Sequence, residues 1–112
     1  MAITITEKSR EFTKKELYLM TQGAEIRTIK EVPDGTVIEI SGFLYFDDKK
    51  EEETAHLLSI LDNDGNVFTT QSKTFKDSFE SIVEIMENEP FAIKKVSGQS
   101  KAGRHFVDCT LV

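Results

Sequence analysis

TFKDSFESIVEIMENEP, residues 74–90, decides the fold, because it sets one helix in the middle of a run of strands. Thr74 to Asp77 reads as an N-cap followed by an acid in the first turn, where the positive end of the helix dipole stabilises it. Phe75, Phe79, Ile82, Val83 and Met86 recur at i, i+4, i+7, i+8 and i+11, one apolar stripe of a helix. Asn88, Glu89 and Pro90 close it, since proline supplies no N–H to continue the ladder.

Upstream of the helix lie three strand patterns. TVIEISGFLYF (36–46) is rich in β-branched and aromatic residues, with Gly42 in mid-strand where a bulge or sharp bend is expected. An acidic stretch at 47–53 reads as a loop, ETAHLLSIL (53–61) as the second strand, and NDG (63–65) as a hairpin turn into NVFTTQS (66–72). Downstream, FAIKKVS (91–97) and RHFVDCTLV (104–112) form two more strands around the connection GQSKAG. The order β-β-β-α-β-β is that of an OB-fold. The expected fold is therefore mainly β, a five-stranded OB-fold-like Greek-key barrel with a helix between strands 3 and 4 plugging its open end. Another small barrel or an α+β sandwich are the alternative topologies.

Residues 1–35 read as an N-terminal extension of a single domain spanning 1–112, with the OB-like barrel at 36–112. AITIT (2–6) alternates like a short strand. Thr13-Lys14-Lys15-Glu16 is a capping box opening a short N-terminal helix over 14–22, which ends near Gly23. Val-Pro-Asp-Gly at 32–35 marks a turn.

The chain has 112 residues, 38% apolar and 30% charged, as a folded domain requires. No apolar run approaches membrane-spanning length, and the alternating, charged N-terminus is unlike a signal peptide. The lone Cys109 makes no intrachain disulfide and points to a reducing, cytoplasmic setting. Net charge is −6 but unevenly spread: residues 47–64 hold seven acids against two bases, whereas 91–112 hold Lys94, Lys95, Lys101 and Arg104 against Asp108 alone. Binding responds to the field within about 8–10 Å, so an anionic ligand at the basic end is compatible with an acidic total. The total disfavours indiscriminate duplex binding.

In an OB-fold the loop between strands four and five flanks the ligand face, and here it is SGQSKAGR. Lys101 and Arg104, led by Lys94 and Lys95, are therefore the expected phosphate contacts. Alternation along strand one puts Phe43 and Tyr45 opposite Ile38, Ile40 and Leu44, hence outward as base-stacking surfaces, unless a bulge at Gly42 swaps the parity. Phe106 likewise opposes Val107, Cys109 and Leu111. Phe68, Phe75, Phe79 and Phe91 are assigned to the core. Gly98 and Gly103 have P-loop spacing, but Arg104 and His105 replace the required Lys-Ser/Thr, and a strand follows instead of a helix. Two distant histidines and one cysteine supply no metal or catalytic constellation, so no cofactor, no metal and no enzymatic activity are expected. Cys109 reads as a small buried hydrophobe.

Val32–Ile40 (VPDGTVIEI) and residues 90–112 (PFAIKKVSGQSKAGRHFVDCTLV) resemble the small single-stranded-DNA-binding proteins of bacteriophages of Gram-positive hosts. The resemblance implies a replication accessory protein that coats single strands without strong sequence preference, in the cytoplasm of a bacterial host, with Lys101, Arg104 and Phe106 on DNA. It also leaves open homo-oligomers and replication proteins as partners, and does not separate single-stranded DNA from RNA. Proteins of this function commonly end in an acidic partner-recruiting tail, whereas this sequence ends inside a strand at Val112, so recruitment by that route is not expected. A non-enzymatic viral adaptor or structural protein using the barrel for protein contacts is the alternative. It predicts buried aromatics at 43, 45 and 106 and scattered basic residues.

Overall fold

The computed structural model describes residues 2–112. In chain order its elements are β1 (Ala2–Lys8), α1 (Lys14–Gln22), β2 (Arg27–Thr28), a 3-10 turn (Ile29–Glu31), β3 (Val37–Lys50), β4 (Glu53–Asp62), β5 (Val67–Thr70), α2 (Lys73–Met86), β6 (Ala92–Gln99) and β7 (His105–Leu111).

One long strand organises the molecule. The first residues of β3, Val37 to Glu39, pair antiparallel with β6, and from Ile40 onward the strand pairs with β4. Between Ile40 and Gly42 the register shifts in a bulge, so β3 serves both halves of the sheet. Glycine is needed here for space. A Cβ at Gly42 would lie 2.8 Å from the Phe12 ring, which crosses the bulge beneath the Arg10 guanidinium.

The strands form one curled sheet in the order β2-β5-β4-β3-β6-β7, with β1 adding to β3. All pairs are antiparallel except the two-residue parallel contact of β2 with β5. Among the described residues no ladder joins β2 or β5 to β7, so the sheet is a half-barrel with an open seam between β5, with β2 on its edge, and β7. The architecture is mainly β with two helices, as the sequence led us to expect.

Three local differences have physical causes. Residues Asp47–Lys50, expected in a loop, continue β3, because β4 pairs with them on one edge and β1 on the other. Only Glu51 and Glu52 are left to turn, with Glu51 at φ 50°. The α2 N-cap is Ser72, not Thr74: its hydroxyl accepts the Phe75 N–H at 3.2 Å. The helix therefore starts earlier, and Asp77 lies past the first turn, where it pairs with Lys73 at 2.7 Å. The first residues are integral to the sheet, Ile3 opposing Asp48 and Ile5 opposing Phe46.

Alternation along the central strands builds two cores, one on each face of the sheet. Leu44, Phe46, Leu61 and Val67 pack on one face with Phe12 and with Met20 of α1. The capping box of α1 forms as expected, Thr13 and Glu16 exchanging hydrogen bonds of 3.0 and 2.8 Å, and the buried Ser59 hydroxyl donates to the Met20 carbonyl at 2.7 Å. On the other face Ile38, Leu58, Ile60, Phe68 and Ile93 pack with Phe75 and Phe79 of α2. The amphipathic stripe read from the sequence is thus the face that seals this second core.

Candidate nucleic-acid interface

The open seam between β5 and β7 forms a cleft of about 560 Å³. One wall comes from Thr28 and Lys30, beside β5, and from Thr70, Gln71 and the α2 cap residue Ser72. The other comes from Ser97 of β6 and His105, Phe106 and Val107 of β7. The Ser72 hydroxyl spans the seam to the Val107 carbonyl at 3.5 Å. Among the described residues no carboxylate lines the cleft, and Lys30 is the one lysine or arginine in it; the other polar groups are hydroxyls, an amide and an imidazole.

Phe106 stands at the edge of this cleft, 37% exposed. It pairs in register with Gly98, and a Cβ on that glycine would lie 2.4 Å from the ring's Cζ. The ring therefore lies on bare backbone, held flat on the outer face of the β6–β7 hairpin. Lys94, exposed, shares that face by alternation and lies in register with Val37 and Thr110. The opposite parity of β7 carries Cys109, 4% exposed, its thiol pushed up to about 12 by burial and then by the Asp108 charge. The parity expected for Phe106 and Cys109 is the one observed, while Leu111 at the strand's end is exposed.

The hairpin turn beyond Gln99 is tightly bonded. Gly103, at φ +83°, donates to the Ser100 carbonyl at 2.9 Å, and Ser100 donates to the Arg104 carbonyl at 2.8 Å. Lys101 and Arg104 are exposed on this turn, and among the described residues neither has a carboxylate within ion-pair distance. Phe106, Lys94, Lys101 and Arg104 are thus gathered on one hairpin.

Three expected residues lie elsewhere. The bulge before Gly42 swaps the parity of β3, so Phe43 and Tyr45 face the same core as Ile38 and Ile40 instead of projecting outward. Phe43 packs edge-on against Phe79 at 4.9 Å and against Tyr45 at 6.2 Å. Both are half-buried along a groove of about 400 Å³ rimmed by Glu7, Glu80 and Glu84, whose charges repel phosphate. The Tyr45 phenol is shifted far upward, first by burial and then by Glu80. Lys95, expected as a phosphate contact, is 3% exposed, with its ammonium 2.6 Å from Asp34 and 3.1 Å from the Ser97 hydroxyl. A buried ammonium is retained only when paired, and this one ties the Val32–Gly35 turn to β6.

The Lys95 ammonium and the Ser97 hydroxyl, both hydrogen-bonded to Asp34, hold its carboxyl below the usual aspartate range. A depressed folded-state value means this contribution to stability is present above the unfolded value and is lost as pH falls through the folded one. Asp34→Asn is therefore expected to flatten the acid limb of the stability curve below the usual aspartate range. Urea midpoints measured stepwise down the acid range check this, and an unchanged limb would refute it.

Lys30, His105 and the hydroxyls of the β5 side escaped the sequence reading. Only the short parallel contact of Arg27 and Thr28 with Phe68 and Thr69 brings the 3-10 turn to the seam, and two residues leave no periodic signal. His105 was legible only as the neighbour of Phe106.

No helix among the described residues is long and apolar enough to cross a membrane. Neither the curated proteins nor the solved structures yield a match. The family described as phage single-stranded DNA-binding protein matches residues 4–112, nearly the full length. With a curled β half-barrel, a carboxylate-free cleft and an exposed aromatic-basic hairpin, the chain belongs to the phage single-stranded DNA-binding protein family.

Proposed function

We propose that the chain binds single-stranded DNA, without strong sequence preference, along the seam between β5 and β7 and over the outer face of the β6–β7 hairpin. The observation that carries this is the carboxylate-free cleft beside an exposed phenylalanine and unpaired cations, in a chain of net charge −6. Phe106 supplies a π-face that any base can stack on, and Lys30, Lys94, Lys101 and Arg104 track phosphates as point charges. The polar side chains of Thr28, Gln71 and His105 accept or donate to whichever base edge is presented, which favours tolerance over a code. The wider role is to coat exposed strands during phage-type replication or recombination. Single-stranded RNA is the competing ligand, because these groups read nothing particular to deoxyribose.

The pairings β3–β4, β4–β5, β3–β6 and β6–β7 support reading the half-barrel as an OB-type barrel opened at one seam. On that reading the missing closure between its third and fifth strands is what makes room for the ligand.

Fluorescence anisotropy of a labelled oligo-dT, with a matched duplex and an oligo-U alongside, tests the proposal at several salt concentrations. Each phosphate neutralised contributes about 0.7 to the single-strand salt slope, so two to four contacts give roughly 1.4–2.8. Arg104→Ala is expected to reduce that slope by about 0.7 and to weaken all sequences alike. An unchanged slope removes Arg104 from the site, and equal affinity for duplex and single strand refutes the function.

A further inference from the structure

Two features of the surface lie outside the proposed DNA site, and they are complementary. The first is the groove between β1, β3 and α2. Its floor is aromatic, from Phe43 and Tyr45, and Glu7, Glu80 and Glu84 rim it. None of these carboxylates has a cation within ion-pair distance among the described residues. The Tyr45 hydroxyl is buried there beside the Glu80 carboxylate, without a well-formed hydrogen bond among the described residues. Carboxylates around π-faces repel nucleic acid and attract an ammonium.

The second feature is the start of α1. Lys14 and Lys15 occupy its first turn, where the helix dipole disfavours positive charge, and neither is ion-paired among the described residues. Tyr18 lies one turn on, neighbouring both at i+4 and i+3, and is 57% exposed. Two lysines beside an exposed tyrosine form a basic, aromatic knob.

We infer that the Lys14–Lys15–Tyr18 knob of one copy docks into the Glu7–Glu80–Glu84 groove of a second copy. Charge complementarity and matched aromatic character select the occupant. The two cores fix the geometry: α1 packs on one face of the sheet and α2, with the groove, on the other. Knob and groove of one molecule therefore face apart and meet only between copies. Such a heterologous contact leaves a free knob at one end and a free groove at the other, so it propagates as an open row. Copies laid in a row suit a protein that covers a strand longer than its own site. Neither feature belongs to the DNA-contacting hairpin, so the inference stands or falls separately from the DNA-binding proposal.

Sedimentation velocity on the full chain at about 0.05 M salt, without DNA, is the test, because charge pairing is weakly screened there. The wild type is expected to associate with rising concentration and to dissociate at about 1 M salt, where the Debye length falls to ~3 Å. Lys14→Glu/Lys15→Glu and Glu80→Lys/Glu84→Lys are each expected to weaken association at least about tenfold by setting like charges together. Mixing the two double variants restores complementary charge at every contact, and association should return. A wild type that stays monomeric at low salt, association that survives both variants, or a mixture that fails to recover would each overturn the inference. Unchanged circular dichroism and thermal midpoints show that the variants fold. Unchanged affinity for a short oligo-dT occupying one molecule separates loss of association from loss of the DNA site.

Discussion

Phe106→Ala is expected to lower affinity for oligo-dT by roughly 5- to 150-fold, the equivalent of about 1–3 kcal/mol per stacked base. The ring is 37% exposed, so removing it opens no core cavity, and folding stability should change little. It carries no charge, so the salt slope should stay where it was. That pair of readings separates Phe106 from Arg104, whose loss changes the slope. Gly98 matters to the same result. A methyl group there would fall 2.4 Å from Cζ and force the ring off the hairpin face, so Gly98→Ala should reproduce part of the loss with the phenylalanine still present. Oligo-dT affinity within about twofold of wild type for Phe106→Ala would remove stacking at this position from the account.

The largest effect on stability is expected at Phe79. It is fully buried at the centre of the aromatic cluster, 4.9 Å from Phe43, 6.5 Å from Phe75 and 6.0 Å from Phe91 between ring centroids. Phe79→Ala should cost about 3–5 kcal/mol, the transfer term of the ring plus the cavity it leaves. Domains of this size are stable by only about 5–15 kcal/mol, so the variant should be marginal at growth temperature. Phe79→Leu fills most of the volume and should recover a large part of the loss. Urea unfolding followed by circular dichroism measures both. A cost below about 1 kcal/mol for alanine would mean that α2 does not seal the core as described.

Much of the fold was legible because its signals are periodic. The stripe of Phe75, Phe79, Ile82, Val83 and Met86 has the spacing of one helix, and Asn63-Asp64-Gly65 has the chemistry of one turn, with Gly65 at φ +86°. What local pattern could not settle was register and pairing. Gly42 signalled a bulge, yet whether a bulge there forms and swaps the faces of Phe43 and Tyr45 is fixed only by the pairing with β4. Lys95 reads like Lys94 in sequence, but one faces solvent and the other meets Asp34, sixty-one residues away along the chain. Of the proposed site, the sequence showed what is local, the placing of Phe106 and Arg104 on one hairpin. The proposed site was illegible where the seam draws on Lys30 and Ser72, because a gap between strands leaves no mark in either strand's alternation.

The position of the ligand is the central functional claim, and backbone amide chemical-shift mapping during titration with oligo-dT tests it most directly. Shifts should concentrate at Thr28 and Lys30, at Thr70 to Ser72, at Lys94, at Ser97 and Gly98, and from Lys101 to Val107. Glu7, Phe43, Tyr45, Glu80 and Glu84 should stay still. Shifts confined to that second set, with the seam between β5 and β7 unmoved, would contradict the account.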